Sequence, residues 1–300
     1  MRLGRALVIS LLISAVPATA WACACGCSVF GVGTRWTMPT GPGFRLSLQY
    51  SFMDQSQNWQ GWSSASPALN GDKDIRTHFF TLSAEEMFNR SWGIRADLPV
   101  WDRYLKTTSD SGELVTGEHL SLSDASVMGM YTGLSDDMST GLELGFKLPT
   151  GPDDLSVFDR DTQPGYGSTS LLLGAYQLGQ GSNWGWWAQG IVRVALYGTG
   201  GYRPGNSYNL GLGAHYDGFA RYRLVPSLQL VASIRGSDSG SAADPANTGF
   251  QRLFVVPGLE IPLVAGLDFF ADLDFPVLTH TSGDQLVAPW LASATLSESF

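Results

Sequence analysis

The chain ends in LVAPWLASATLSESF, which runs from Leu286 to Phe300. Every second residue counted back from Phe300 is apolar except Glu298, and the four intervening residues nearest the end all carry hydroxyl groups. A period of two indicates a strand with one apolar and one polar face. In an exported chain, such a strand ending on an aromatic residue is typical of the last strand of bacterial outer-membrane barrels. The alternative is an edge strand of a soluble sandwich.

An export signal is expected over residues 1–22. Arg2 and Arg5 form a short basic start, residues 6–16 form an apolar run too short to span a bilayer, and two small-x-small cleavage patterns end at Ala20 and Ala22. After Ala22 no run of about 18 apolar residues occurs, so helical membrane spans are not predicted. The remaining chain is expected to form a periplasmic N-terminal segment, 23–42, and a barrel, 43–300.

The composition agrees with a surface that faces lipid. Charged residues make up only 15% of the chain, which contains 36 Gly and 10 Trp, whereas a soluble domain has about a quarter charged residues. The formal net charge of −9 becomes −11 without Arg2 and Arg5, because 16 basic residues then face 27 acidic residues. No basic cluster is present, so nucleic-acid binding is not predicted. Acidic outer loops suit a surface where divalent cations bridge lipopolysaccharide.

Alternation of apolar and polar residues recurs along the rest of the chain, and the connectors between the alternating runs are short and long in turn. This asymmetry is typical of outer-membrane barrels, which have tight periplasmic turns and long extracellular loops. The predicted fold class is all-β: a monomeric, transmembrane, antiparallel up-and-down β-barrel in the outer membrane of a Gram-negative bacterium. Its twelve strands are expected near 43–53, 74–88, 91–103, 120–132, 138–149, 168–179, 185–197, 207–222, 227–236, 250–263, 266–277 and 285–300.

Lipid offers no hydrogen bonds, so the last strand must pair with the first, near Phe44, to close the wall. The apolar face of the last strand, which includes Leu286, Ala288 and Trp290, is then expected to face lipid. Aromatic residues near strand ends predict girdles at the two membrane interfaces. These residues are Trp92, Trp101, Trp184, Trp186, Trp187, Tyr216 and Trp290.

If the apolar residues face lipid, the polar residues of each strand face the lumen. Their mixed charges would line a selective pore, or would pair with each other and fill a narrow barrel that has no passage. Three aspartates near 266–277 would favour cations unless Arg193 or Arg235 neutralises them. The predicted pore-lining residues are Arg45, Arg95, Asp97, Glu143, Lys147, Arg193, His215, Arg235, Glu260, Asp268, Asp272 and Asp274.

All three cysteines follow the signal directly, as Cys23, Cys25 and Cys27. Thiolates at alternate positions are ligands for a soft ion such as Cu(I) or Zn(II), which makes these residues candidate metal ligands at the periplasmic mouth. They would also suit a periplasmic redox or metal partner. A vicinal or intermolecular disulfide and lipidation of Cys23 are the alternatives.

No catalytic set is present, and an enzyme is not predicted. The four histidines lack metal-ligand spacing, and no Gly-x-Ser-x-Gly motif occurs. A barrel phospholipase would need a Ser–His pair on the outer wall, for which His78 is the only candidate.

Two neighbouring segments carry a family resemblance. They are GLELGFKLPTG, from Gly141 to Gly151, and QPGYGS, from Gln163 to Ser168. This part of the chain resembles the outer-membrane family named for meta-pathway phenol degradation, whose members are often called transporters. The resemblance implies a barrel and uptake of small, often aromatic, compounds. Within it, Lys147 is expected to face the lumen, and Gly151 to let the chain turn outward into an acidic loop.

The function expected from these observations is passive uptake of a small hydrophobic or aromatic solute through the outer membrane. No energy-coupling box or plug domain precedes the first strand, so active transport is not predicted. The alternative is a barrel that anchors a metal-handling or redox function at the cysteine triplet.

Overall fold

The computed structural model describes residues 38–109, 111–156 and 158–300. Almost all of its regular structure is antiparallel strand. The predicted signal, 1–22, and the cysteine triplet lie outside the described residues. The strands are β1 (Gly43–Gln55), β2 (Gln57–Gly61), β3 (Ser63–Ser64), β4 (Asp72–Met87), β5 (Trp92–Thr108), β6 (Leu114–Leu122), β7 (Ser126–Tyr131), β8 (Thr140–Lys147), β9 (Ser170–Gln180), β10 (Trp184–Ala195), β11 (Ser207–Tyr216), β12 (Val225–Arg235), β13 (Phe250–Val264), β14 (Leu267–Val287) and β15 (Leu291–Ser299).

Twelve of these strands form one closed ring. Around the ring, β1 is followed by β4, β5 and then β7 to β15 in chain order. The ring closes between β1 and β15, where Arg45 is opposite Ser299 and Met53 is opposite Leu291. A closed ring leaves no unpaired strand edge in the wall, which is what a hydrocarbon environment requires. The predicted twelve-stranded up-and-down barrel, with its first and last strands paired, is confirmed.

The two ends of the barrel differ in the length of their connections. Only two residues join β13 to β14, and Gly266 there has a φ of +80°, a left-handed conformation that favours glycine. Longer segments at the opposite end join β1 to β4, β5 to β7, β8 to β9, β10 to β11 and β12 to β13. The end with short turns also carries Gly43 and Phe300, and it corresponds to the periplasmic rim.

Three predicted strands are divided, shortened or interrupted in the structure. The strand expected at 120–132 is divided, because residues 123–125 leave the ladder and only β7 belongs to the ring, while β6 pairs with the outer half of β5. The strand expected at 207–222 ends at Tyr216 and is followed by the 3-10 turn Asp217–Tyr222. The strand expected at 285–300 is interrupted around Pro289, which has no amide to donate.

The interruption around Pro289 changes the orientation of two side chains. Leu286 ends up in the extension of β14, which pairs with β2, and Ala288 lies in the turn that follows. Both are buried, Leu286 against Ile75 and Leu105, and Ala288 in a cluster inside the barrel. The expectation that they face lipid is therefore wrong.

The outer face of the wall is apolar. Along β1, β8, β11 and β12 the exposed side chains include Leu48, Leu144, Leu210 and Leu230. Aromatic pairs lie at the periplasmic rim, where ring centroids are 4.7 Å apart for Trp92 and Tyr131 and 4.6 Å apart for Trp184 and Tyr216. Two members of the expected girdles, Trp101 and Trp187, are instead buried inside the barrel.

Among the described residues, no helix is long and apolar enough to cross a membrane.

Candidate functional site: the barrel interior

The twelve predicted pore-lining residues all lie on the inner face of their strands. Six are buried: Glu143, Arg193, His215, Arg235, Asp272 and Asp274. The other six are partly buried and share the inward alternation of their strands: Arg45, Arg95, Asp97, Lys147, Glu260 and Asp268. The register inferred from the sequence is therefore the one adopted by the wall.

Several charges in the periplasmic half are paired, either within one strand or across neighbouring strands. Arg45 lies 3.6 Å from Glu85, and the Nε atom of Arg95 donates to Asp97 at 2.9 Å. The hydroxyls of Ser83 and Ser126 also donate to Asp97, at 2.6 and 3.0 Å. This level of the lumen therefore contains charges of both signs.

A second polar group completes this level. The amide of Gln189 donates to Glu143 at 3.3 Å. The ring of His215 lies 6.0 Å from that of Trp187, and its Nε2 atom is 3.4 Å from Asp217. Met38 is fully buried against Tyr176 and Trp187, so the described segment before β1, residues 38–42, begins inside the barrel.

The lumen also contains an apolar cluster that the sequence analysis did not predict. It joins side chains from opposite parts of the ring, and its rings of Phe79 and Trp101 meet edge to face at 5.1 Å. The cluster consists of Met53, Phe79, Trp101, Val231, Phe254, Val256, Ala288 and Leu291. The available signal was the occurrence of consecutive bulky apolar residues, such as Phe79-Phe80 and Val255-Val256, which place an apolar side chain on each face of a strand.

The loop between β8 and β9 folds back over the outer mouth of the barrel. Phe158 of this loop packs against Ile75, Leu105 and Leu286. The guanidinium of Arg103 donates to the carbonyl of Thr162 in the loop and, at 3.0 Å, to the hydroxyl of Thr77 in the wall. The loop therefore covers the opening, and the expectation that Gly151 turns it outward is wrong.

Gly151 has a different role. A Cβ atom at this position would lie 2.9 Å from the Cα of Ser123 and 3.0 Å from the Cα of Gly165. Only a glycine permits so close an approach between the start of the loop, its end and the segment after β6. Gly151 and Gly165, one from each resemblance segment, thus pack against each other.

Asp124, in the break between β6 and β7, anchors both ends of this loop. Its Oδ1 atom accepts from the amide of Gly151 at 3.2 Å, and its Oδ2 atom accepts from the amide of Tyr166 at 2.9 Å. Burial raises the pKa of the Asp124 carboxyl, and the charge of Lys147 acts in the opposite direction. Arg160 binds the carbonyl of Tyr166 and the carboxylate of Asp153, both at 2.7 Å.

The aspartates of β14 are not neutralised in the way considered from the sequence. Arg235 pairs with Asp238 at 2.5 Å, and Arg193 donates to the hydroxyl of Ser207 and the carbonyl of Gly205. Asp272 and Asp274 remain a buried acidic pair on the inner face of β14, opposite Ser293 and Leu291 of β15.

Cys23, Cys25 and Cys27 lie outside the described residues, so their metal binding stays a prediction. In the part of the chain that the structure describes, no group of three or more His, Cys, Asp or Glu side chains is arranged to hold a metal ion.

Comparisons with known proteins identify the fold. No family model matches the sequence, and no curated protein matches it. The COG4313 outer membrane channel from Pseudomonas putida F1 is similar in structure, with a TM-score of 0.66, 12% identity, and coverage of 88% of this chain and 97% of that chain. At this identity the similarity shows a shared fold.

Two further structures are more distant. The beta domain of the Bordetella autotransporter Brka has a TM-score of 0.49 with 14% identity, and covers 86% of this chain and 100% of its own. The CymD monoaromatic hydrocarbon channel has a TM-score of 0.43 with 11% identity, and the match covers 87% of this chain and 89% of that one. The chain has an outer-membrane barrel fold, and its closed ring, apolar outer face and aromatic rim belong in the outer membrane of a Gram-negative bacterium.

Proposed function

We propose that this protein is an outer-membrane channel for the passive passage of small, largely hydrophobic solutes. The observation that carries the proposal is the apolar cluster inside the lumen, which joins Phe79 and Trp101 on one side of the ring to Val231 and Phe254 on the other. An apolar or aromatic solute can replace contacts within this cluster, whereas a small hydrated ion with no apolar part would lose its water there without compensation.

The polar inner-face residues are proposed to line the remainder of the path. The ion pairs Arg45–Glu85 and Arg95–Asp97 keep part of the periplasmic half polar and locally neutral. A solute that leaves the apolar cluster would enter a polar level that offers it no apolar contacts, so it would not be held there on its way to the periplasm. The similarity of fold to an outer-membrane channel supports the proposal at the level of architecture.

The proposal is tested by the entry of labelled toluene into vesicles whose outer leaflet is lipopolysaccharide, with and without the purified barrel. We expect faster entry with the protein and a further increase for Phe254→Ala, which enlarges the apolar part of the lumen. Leu273→Ala, on the outer face of β14, is the matched control and should leave entry unchanged. Equal entry into protein-free and wild-type vesicles would rule out the proposed function.

A further inference from the structure

Three cationic side chains surround one aromatic ring on the wall formed by β8 to β12. The Nζ atom of Lys147 lies 4.9 Å from the centroid of the Tyr166 ring, and the Cζ atoms of Arg193 and Arg235 lie 4.7 and 5.7 Å from it. These three side chains, which we call the cationic cage, come from β8, β10 and β12 and are all on the inner face. Tyr166 comes from the loop over the outer mouth.

Several hydrogen-bond donors in and beside the cage have no acceptor among the described residues. Within them, the Lys147 ammonium makes no hydrogen bond and no close ion pair, and its charge reaches Asp124 only at longer range. The Nη1 atom of Arg193 is buried without a hydrogen-bond partner. The hydroxyl of Ser170, directly opposite Lys147 on β9, is also buried without a partner. Buried donors without acceptors are costly, so the cage is suited to an acceptor that the chain itself does not supply.

The charges of the cage are only partly compensated. Arg235 is paired with Asp238 and lies within electrostatic reach of Asp161, whereas Asp124 is the carboxylate that faces Lys147 and Arg193. At Lys147 and Arg193 two positive groups therefore face one negative group, and the excess positive charge lies there. An anion is the ligand that this arrangement recognises.

Tyr166 is fixed through its backbone and not through its hydroxyl. Its amide donates to Asp124 and its carbonyl accepts from Arg160, whereas its hydroxyl makes no hydrogen bond with any described residue. The side chain can therefore swing out of the cage while the loop stays in place. The ring also shows which shape fits between the three cations: a flat aromatic ring, held by its electron-rich face.

We propose that the cationic cage is a binding site for small aromatic carboxylates, and that the Tyr166 side chain is its reversible internal occupant. The ligand ring takes the place of the Tyr166 ring, and its carboxylate accepts hydrogen bonds from the Nη1 atom of Arg193 and the Nζ atom of Lys147. The inference deepens the proposed function, on which it rests, by naming a solute class and a subsite in the lumen.

Isothermal titration calorimetry of the purified, detergent-solubilised barrel tests the site, with benzoate as the probe and benzyl alcohol as the neutral molecule of the same shape. We expect benzoate to bind more tightly than benzyl alcohol. Lys147→Met should weaken benzoate binding about tenfold or more, because a charged hydrogen bond is lost, and should leave benzyl alcohol unaffected. Tyr166→Ala should tighten benzoate binding, because the internal occupant is removed.

Two variants control for folding and for general charge effects. Lys147→Arg keeps the charge and should retain benzoate binding, and Lys106→Met removes a lysine of the outer half of β5, outside the cage, and should change nothing. Equal affinity of Tyr166→Ala for benzoate and benzyl alcohol, or undiminished benzoate binding by Lys147→Met, would overturn the inference. Because binding is measured without transport, failure of toluene entry refutes the channel function alone, and loss of the benzoate preference refutes the cage alone.

Discussion

The backbone amide of Phe300 donates a hydrogen bond of 2.8 Å to the carbonyl of Phe44, and the centroids of their rings lie 5.9 Å apart. The contact joins the end of β15 to the start of β1 at the periplasmic rim, beyond the last paired residues of the two strands. It therefore completes the closure of the ring at the position where the two terminal strands would otherwise separate first.

Replacing Phe300 by Ala should weaken this closure. The lost ring contact is worth about 0.5–1.5 kcal/mol beyond burial, so the free energy of unfolding in detergent should decrease by about that amount. Denaturant titration followed by heat-modifiable migration on gels measures the change. Phe88→Ala, an exposed aromatic residue on the same rim, should have a much smaller effect, and equal effects of the two variants would contradict the assigned role of Phe300.

Replacing Asp124 by Asn should loosen the loop over the outer mouth without unfolding the barrel. The neutral amide is a weaker acceptor for the amides of Gly151 and Tyr166, and losing such charged hydrogen bonds costs about 1–3 kcal/mol. Amide hydrogen exchange across the loop should accelerate roughly tenfold or more, while exchange in β1 and β15 stays slow. Asp154→Asn, an exposed position in the same loop, is the control, and unchanged exchange in Asp124→Asn would show that the carboxylate does not hold the loop.

The attachment of this loop should weaken as the pH rises. Burial raises the pKa of Asp161 well above its ordinary value of 3.8, and the neighbouring carboxylates of Asp72, Asp159 and Asp238 raise it further. The attached loop therefore favours protonated Asp161. This contribution to loop stability is complete below the ordinary pKa and is lost as the pH rises through the raised pKa.

Loop exchange rates, corrected for intrinsic pH dependence, and channel conductance measured from acidic to alkaline pH both report this effect. Asp161→Asn should reduce the pH dependence, because this side chain then stays neutral throughout, whereas Asp154→Asn should leave it unchanged. If the stability of the loop in the wild type increases with pH, the assigned role of Asp161 is contradicted.

Replacing Gly213 by Val should destabilise the barrel. Gly213 lies opposite Trp187, and a Cβ atom there would come within 2.2 Å of the indole ring. Overpacking of this kind costs about 1–3 kcal/mol, which a denaturant titration resolves. Gly190→Val, at a position where a Cβ atom would meet nothing closer than 3.8 Å, should be tolerated, and similar losses in both variants would point to general glycine effects in the strands instead of the Trp187 contact.

The sequence by itself determined the wall. Alternation along single strands placed Lys147, Arg193 and the other polar residues on the inner face. Successive residues of a strand point to opposite faces, and only the apolar face can lie against lipid. The short and long connectors likewise predicted which end carries the loops. The wrong predictions at residues 120–132 and at Leu286 and Ala288 lie where the chain leaves the ladder near the outer mouth, and there the period of two no longer reports on the environment. The strand expected at 207–222 was too long at a periplasmic turn instead.

Only the tertiary structure decided what fills the barrel. The apolar cluster brings Met53 together with Val231, and the cationic cage brings Tyr166 between Lys147, Arg193 and Arg235. Alternation specifies which face a side chain occupies, but it contains no information on which distant strands or loops that face will meet. Those contacts depend on how the closed ring positions its strands and on the inward fold of the loop anchored by Asp124, and they are set by packing and hydrogen bonding between residues far apart in the chain.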